Sequence, residues 1–167
     1  MELFEGINKR YSVRSYKPDR VEPEKLEQIL NAGRLAPTAC NLQAFKIIVI
    51  KTEGRREELK RVYKQDWFSE APYVLGVCTI PEKCWVRRDG KNYADVDAAI
   101  VMDHMILAAT ALGLGTCWIG AFNLQAAREL LELDNTLEPV VFTPLGYSKG
   151  NGPGPAKKTL DELTVYV

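Results

Sequence analysis

The chain has one histidine, His104, and its four cysteines (Cys40, Cys78, Cys84, Cys117) include no CxxC pair. A zinc site built on paired-ligand spacing is not visible, and no metal is expected. Net charge is lacking too, because 22 Lys and Arg balance 22 Asp and Glu. Without a bulk positive field to hold a polyanion, nucleic acid is not an expected partner. No stretch approaches the roughly 20 apolar residues of a membrane span. The opening Met1-Glu2-Leu3-Phe4-Glu5-Gly6 lacks the basic start and apolar run of a signal peptide. A cytoplasmic protein with no membrane partner is expected. A dinucleotide fingerprint is also missing. In Gly113-Leu114-Gly115-Thr116-Cys117-Trp118-Ile119-Gly120 the glycines follow a helix and enter a strand, and the third falls two residues late.

What is present is enough apolar material for one core. With 167 residues and 46% hydrophobic composition, residues 1–167 are read as a single domain. Pro23 suits a first helical turn, Leu26, Ile29, Leu30 and Leu35 recur on one face, and Pro37 marks the stop. Phe45 to Ile50 is a continuous β-branched run, read as a buried central strand, and Tyr73 to Cys78 as a second. Between them Thr52 is expected to cap a charged, peripheral helix through Leu59, Val62 and Tyr63. From Asp95 to Leu112 apolar and small residues cover most of the helical circumference, which demands burial in the core or against a second subunit. Gly113 and Gly115 end that helix, and Thr116 to Ile119 reads as a third strand. Asn123 caps a short helix with Ala126, Ala127, Leu130 and Leu131 inward, and a strand over Val140-Val141-Phe142 leads to Gly146. Residues 148–156, with three Gly and two Pro, form a loop, and Leu160 to Val167 is an apolar tail needing cover. The alternation gives an α+β or mixed α/β class.

Three clusters carry possible chemistry. In Arg10-Tyr11-Ser12-Val13-Arg14, an extended chain puts Arg10, Ser12 and Arg14 on one side. Two guanidiniums and a hydroxyl suit a phosphate; the alternative is a solvated pair of arginines. In the loop Ala36-Pro37-Thr38-Ala39-Cys40-Asn41-Leu42-Gln43-Ala44, Asn41 and Gln43 offer amides that match the edge of a flavin or pterin ring; the alternative is an ordinary capped turn. Gly120 permits close backbone approach to a flat ligand. Cys78 reads as a small buried hydrophobe. Cys84 or Cys117 would act as a nucleophile only beside a basic partner. His104 falls within the buried helix and reads as a satisfied or interface histidine. Trp85, Arg87 and Arg88 form either a substrate lid that stacks and binds anions or a solvated loop with one anchoring Trp.

Taken together, these stretches resemble the nitroreductase family of flavoproteins. The resemblance is carried by Arg10 to Arg14, Ala36 to Gln43, Asp95-Val96-Asp97-Ala98-Ala99 with Leu107-Ala108-Ala109, Leu112 to Gly120, and Leu145-Gly146-Tyr147. It implies an α+β fold of three layers, with a mixed central sheet flanked by helices in an intertwined homodimer. It implies FMN as cofactor. Arg10, Tyr11, Ser12 and Arg14 match the phosphate and ribityl site, joined by Lys158 or, in the alternative register, Lys157. Pro37, Thr38, Ala39, Asn41 and Gln43 match a loop contributed from the neighbouring subunit. Trp118, Ile119 and Gly120 match the segment beside the flavin ring. The chain departs from the family pattern at Tyr11, Thr38 and Ala44-Phe45, and none of these removes an expected charge or amide. The implied activity is reduction of nitroaromatics, quinones or similar small conjugated acceptors by NADH or NADPH in a ping-pong cycle, with no dedicated acid–base residue. A different flavin reaction, such as reductive dehalogenation or flavin fragmentation, or flavin binding without turnover, remains the alternative.

Overall fold

The computed structural model describes residues 2–150, 152 and 154–167. Its helices are α1 (Leu3–Lys9), α2 (Pro23–Arg34), α3 (Arg56–Val62), α4 (Asp66–Glu70), α5 (Ala94–Ala111), α6 (Leu124–Leu131) and α7 (Leu160–Leu163). Its strands are β1 (Phe45–Lys51), β2 (Tyr73–Thr79), β3 (Gly115–Thr116) and β4 (Glu138–Gly146), in sheet order β1-β2-β4-β3. The ladders between these strands are antiparallel, and an isolated parallel bridge joins Ser12, outside the named strands, to Thr116.

Helices cover both faces of this sheet, which gives the three layers. Alternation along β2 sends Leu75 and Val77 to one face, where they pack with Ile29 of α2 and with Val101, Met102 and Met105 of α5. Val74 points to the other face, against Leu59, Val62 and Phe68 of α3 and α4 and Ala127 of α6. Each fully buried Leu, Ile or Phe contributes about 1.5–3 kcal/mol of transfer free energy, so the two cores hold the sheet between its helices.

The strand at 45–51 corrects the expectation of a central position, because among the described residues β1 pairs only with β2 and is the sheet edge. Its continuous apolar run has another cause. Ile47 joins the α2/α5 core while Ile48 and Ile50 join the opposite one, so both faces are covered although one edge is free. Thr52 does not cap a helix. Its hydroxyl donates to the Ala71 carbonyl at 2.6 Å, and the segment beyond it forms two short helices instead of one. The third strand is also shorter than expected. The Cys117 amide donates to Thr143 Oγ1 and leaves the ladder, which resumes only as a bridge from Ile119 to Phe142. The Asn123 cap forms as expected, its side chain accepting from the Ala126 amide at 3.1 Å.

Helix α5 crosses the middle of the molecule. Asn92 Oδ1 accepts the Ala94 amide at its start, and Gly113, with φ of 78°, turns the chain at its end. Ala98, Val101, Met102, Met105, Ile106 and Ala109 are buried, but Val96, Asp103 and His104 stay exposed and Ala99, Ile100 and Leu107 half-buried. One side of this largely apolar helix therefore has no cover from the described residues. Among the described residues no helix is long and apolar enough to cross a membrane.

Candidate functional site

After α1 the chain extends, and Val13 and Tyr16 turn into the core while Arg10 and Ser12 stay half-buried and Arg14 exposed. The Val13 amide donates to the Thr116 carbonyl at 2.8 Å, so the segment lies along β3. Close approach requires Gly115, because a Cβ there would meet Val13 Cγ2 at 2.7 Å. Burial raises the Cys117 thiol pKa, and Arg14, Ser12 and Arg10 lie near enough to oppose that rise. The bridge from Ser12 to Thr116 thus runs the segment past the buried Cys117, within electrostatic reach of Arg10 and Arg14. Tyr11 points elsewhere. Its hydroxyl bonds the Gly150 carbonyl and Ser148 Oγ, and its ring lines a cavity of about 490 Å³ with Arg10, Val13, Thr110 and Gly115. Lys157 and Lys158 are exposed, a few residues beyond Gly154, which lies against Tyr11 Cβ and the Arg10 carbonyl.

The loop from Pro37 to Gln43 is held in an unusual backbone. Cys40, Asn41 and Gln43 have φ of 52°, 55° and 50°, the left-handed region that costs non-glycine residues about 1–2 kcal/mol each, least for Asn. Its amides are occupied. Ala39 N–H donates to Asp97 Oδ1 at 3.0 Å, Gln43 N–H to Thr38 Oγ1 at 3.1 Å and Asn41 N–H to the Thr38 carbonyl at 2.9 Å. The Gln43 side-chain amide donates to the Asn41 carbonyl at 3.1 Å. Asn41, Leu42 and Gln43 are exposed.

Trp118 is exposed, Ile119 is buried beside Phe142, and Gly120 is exposed. A Cβ on Gly120 would meet only Trp118 Nε1, at 3.8 Å, and its φ does not demand glycine. Nothing among the described residues explains a glycine here, whereas a flat ligand approaching the backbone would.

One chain does not bring all these groups together. Asp97, near the start of α5, holds Ala39, whereas Thr110, near its end, shares a cavity wall with Arg10. At 1.5 Å per residue these points on α5 lie roughly 20 Å apart. The loop and the arginine segment are therefore at opposite ends of one helix.

The 80–93 region is an anchored hairpin. Trp85 packs edge-on against Tyr93 with centroids 4.9 Å apart, Arg87 binds both Asp89 and the Tyr93 hydroxyl, and Val86 bridges Asn92. Trp85 thus anchors the loop, with Arg87 and Arg88 exposed. His104 Nδ1 contacts its own helix at Ile100 O, 3.0 Å away, on the exposed side of α5. Among the described residues no group of three His, Cys, Asp or Glu is placed to hold a metal ion. Sequence reasoning gave no role to Asp97 or to the surroundings of Cys117. The signal for the first was available, as an acidic residue in a helix otherwise apolar on that side.

The Nitroreductase family model matches residues 7–77 and 60–147. A putative NADH dehydrogenase/NAD(P)H nitroreductase of Archaeoglobus fulgidus is 30% identical over 162 residues, which cover 89% of this chain and 86% of that protein. Among solved structures, a nitroreductase family protein from Clostridium difficile 630 superposes with a TM-score of 0.88 at 37% identity, over 99% of this chain and 98% of the other. An FMN-dependent nitroreductase from Clostridium difficile R20291 gives a TM-score of 0.82 at 28% identity, over 98% of each chain.

Proposed function

Since the chain belongs to the nitroreductase family, we propose that it is an FMN-dependent oxidoreductase that takes electrons from NADH or NADPH and passes them to a nitroaromatic, a quinone or a similar small acceptor. The observation that carries this reading is the pairing of Ser12 and Val13 with Thr116, which lays the Arg10–Arg14 segment along β3, four residues before a Gly120 that packing among the described residues does not require. Two guanidiniums and a hydroxyl suit the FMN phosphate, and the bare backbone at Gly120 leaves room beside a flat ring. Lys157 or Lys158 adds a further cation to the phosphate. FMN, when bound, supplies the ring that accepts hydride from the nicotinamide and gives electrons to the acceptor.

The protein's own residues bind, orient and exclude water. Trp118 and Ile119 carry the backbone along the ring, with the Trp118 side chain, 43% exposed, beside its rim. Asn41 and Gln43 supply amides to the ring edge, and their distance from Arg10 along α5 supports their coming from the partner of a homodimer. The uncovered side of α5 and the exposed Leu3, Phe4 and Ile7 of α1 support such a partner, as do Leu160, Leu163, Val165 and Tyr166 of the tail. Nicotinamide and acceptor use the same place in turn, a ping-pong order that needs no dedicated acid or base.

Anaerobic stopped-flow on the FMN-loaded protein tests the reading. Bleaching of the flavin within seconds by NADH or NADPH, followed by reoxidation with a quinone or nitroaromatic, is expected. A protein that fails to take up FMN, or whose flavin neither nicotinamide reduces, contradicts it.

A further inference from the structure

Asp97 is a carboxyl almost wholly removed from solvent, 3% exposed, near the start of the most apolar helix in the chain. Its side chain makes no capping hydrogen bond at the start of that helix, where Asn92 Oδ1 takes the Ala94 amide and the Asp97 amide bonds the Tyr93 carbonyl within α5. Its side chain leaves the helix. Oδ1 accepts from the amide of Ala39, 58 residues earlier, at 3.0 Å, while Oδ2 has no partner among the described residues. Burying a carboxyl with one oxygen unpaired is costly, and fold stability alone gives no reason to retain it.

The loop that it reaches is the strained one. Cys40 and Gln43 occupy a left-handed backbone that neither side chain favours, and Asn41 stands between them in the same region. Such conformations persist when the surroundings over-determine them, and here three contacts do so. Thr38 closes the loop on itself by accepting from Gln43 and Asn41, and the Gln43 carbonyl accepts from Phe45 at the start of β1; among the described residues the hydrogen bond that ties the loop to a helix is the one to Asp97. That element is rigid, being packed against both α2 and the sheet.

We infer that Asp97 is a positioning residue that clamps the Thr38–Gln43 loop to α5 and so presents Asn41 and Gln43 to the flavin of the partner subunit. The clamp stands on the geometry of this chain, and its consequence for flavin rests on the function proposed above. Asp97 touches neither cofactor nor substrate. It acts through the Ala39 amide.

Hydrogen exchange on the cofactor-free full-length protein reads the clamp, and FMN fluorescence quenching reads its consequence. In the wild type the Ala39 amide is expected to exchange far more slowly than an unprotected amide. Asp97→Ala should speed exchange across residues 38–43 at least tenfold, leave β2 and β4 amides unchanged, and weaken FMN binding at least tenfold. Asp97→Asn keeps an acceptor at the Oδ1 position and should restore both within about threefold. An unprotected Ala39 amide in the wild type overturns the inference, even if Asp97→Ala cannot be folded. So does Asp97→Ala with unchanged loop exchange, or Asp97→Asn with strand amides exchanging as fast as the loop. A loop loosened in Asp97→Ala with FMN affinity unchanged upholds the clamp and contradicts the flavin-facing assignment of the loop.

Discussion

Ser12 lies in parallel register with Thr116, and the next amide, that of Val13, donates to the Thr116 carbonyl at 2.8 Å. The pairing decides where the N-terminal segment points. Val13 enters the core, and Arg10 and Ser12 are left half-buried and Arg14 exposed.

Replacing Arg10 or Arg14 with Ala should weaken FMN retention. A hydrogen bond to a charged group contributes about 1.5–3 kcal/mol, or roughly 10- to 150-fold in Kd. Titration of the cofactor-free variants with FMN measures this directly, and wild-type affinity in both would remove the phosphate assignment.

Gly115→Ala should act on the same segment without touching a ligand. Its Cβ would press on the β-branched Val13 at 2.7 Å, where Val13 Cβ and Cγ1 lie only 3.0 Å away and have little freedom to yield. Overpacking of this kind costs about 1–3 kcal/mol. A lower melting temperature together with weaker FMN binding is expected, and a thermal midpoint and affinity equal to the wild type would contradict the close approach.

Thiol chemistry should be confined to one position. Cys40 is exposed, whereas Cys78, Cys84 and Cys117 are buried, with burial pushing the Cys78 thiol up to about 12 and the other two upward. Ellman titration of the folded, cofactor-free protein near pH 8 should count one fast thiol per chain and four after denaturation. Two or more fast thiols in the folded protein would show that Cys117 or Cys84 is open.

Glu22 gives a pH signature away from the site. The Tyr147 hydroxyl donates to its carboxylate at 2.7 and 2.9 Å, and with the Glu22 backbone amide and Lys25 it lowers the pKa from 4.5 to about 2. A depressed folded value means that the contact stabilises the fold fully above pH 4.5 and is lost as pH falls from there through about 2. Solvent screening keeps the effect small. Carboxyl NMR should place the Glu22 midpoint near 2 and move it towards 4.5 in Tyr147→Phe. A wild-type midpoint near 4.5 would contradict the contact.

Local patterns made much of this legible in the sequence. The Pro23 start, the Asn123 cap and the Gly113 stop are short-range signals, and each element lies where its signal puts it. Sheet position was not legible. A continuous apolar strand reports that both faces are covered, as Ile47 and Ile48 are, and is silent on whether both edges are paired. Thr52 had the chemistry of a cap but found a closer acceptor in Ala71, a tertiary contact that local sequence does not encode. In the site, alternation along Arg10 to Arg14 was enough to separate the buried Val13 from the more open Arg10, Ser12 and Arg14. The distance between that group and Asn41 depends on the direction of α5, and the Asp97–Ala39 bond spans 58 residues.

The central claim is a flavin site completed by two chains, and subunit complementation tests it most directly. One parent carries Arg10→Ala with Arg14→Ala, the other Asn41→Ala with Gln43→Ala, and each alone should bind FMN weakly. Mixed dimers, separated by differential tags and titrated with FMN, should regain one site of wild-type affinity per dimer, because the intact arginines of one chain meet the intact loop of the other. Mixed dimers with no tight site would contradict the shared site and place all these groups on a single subunit's flavin.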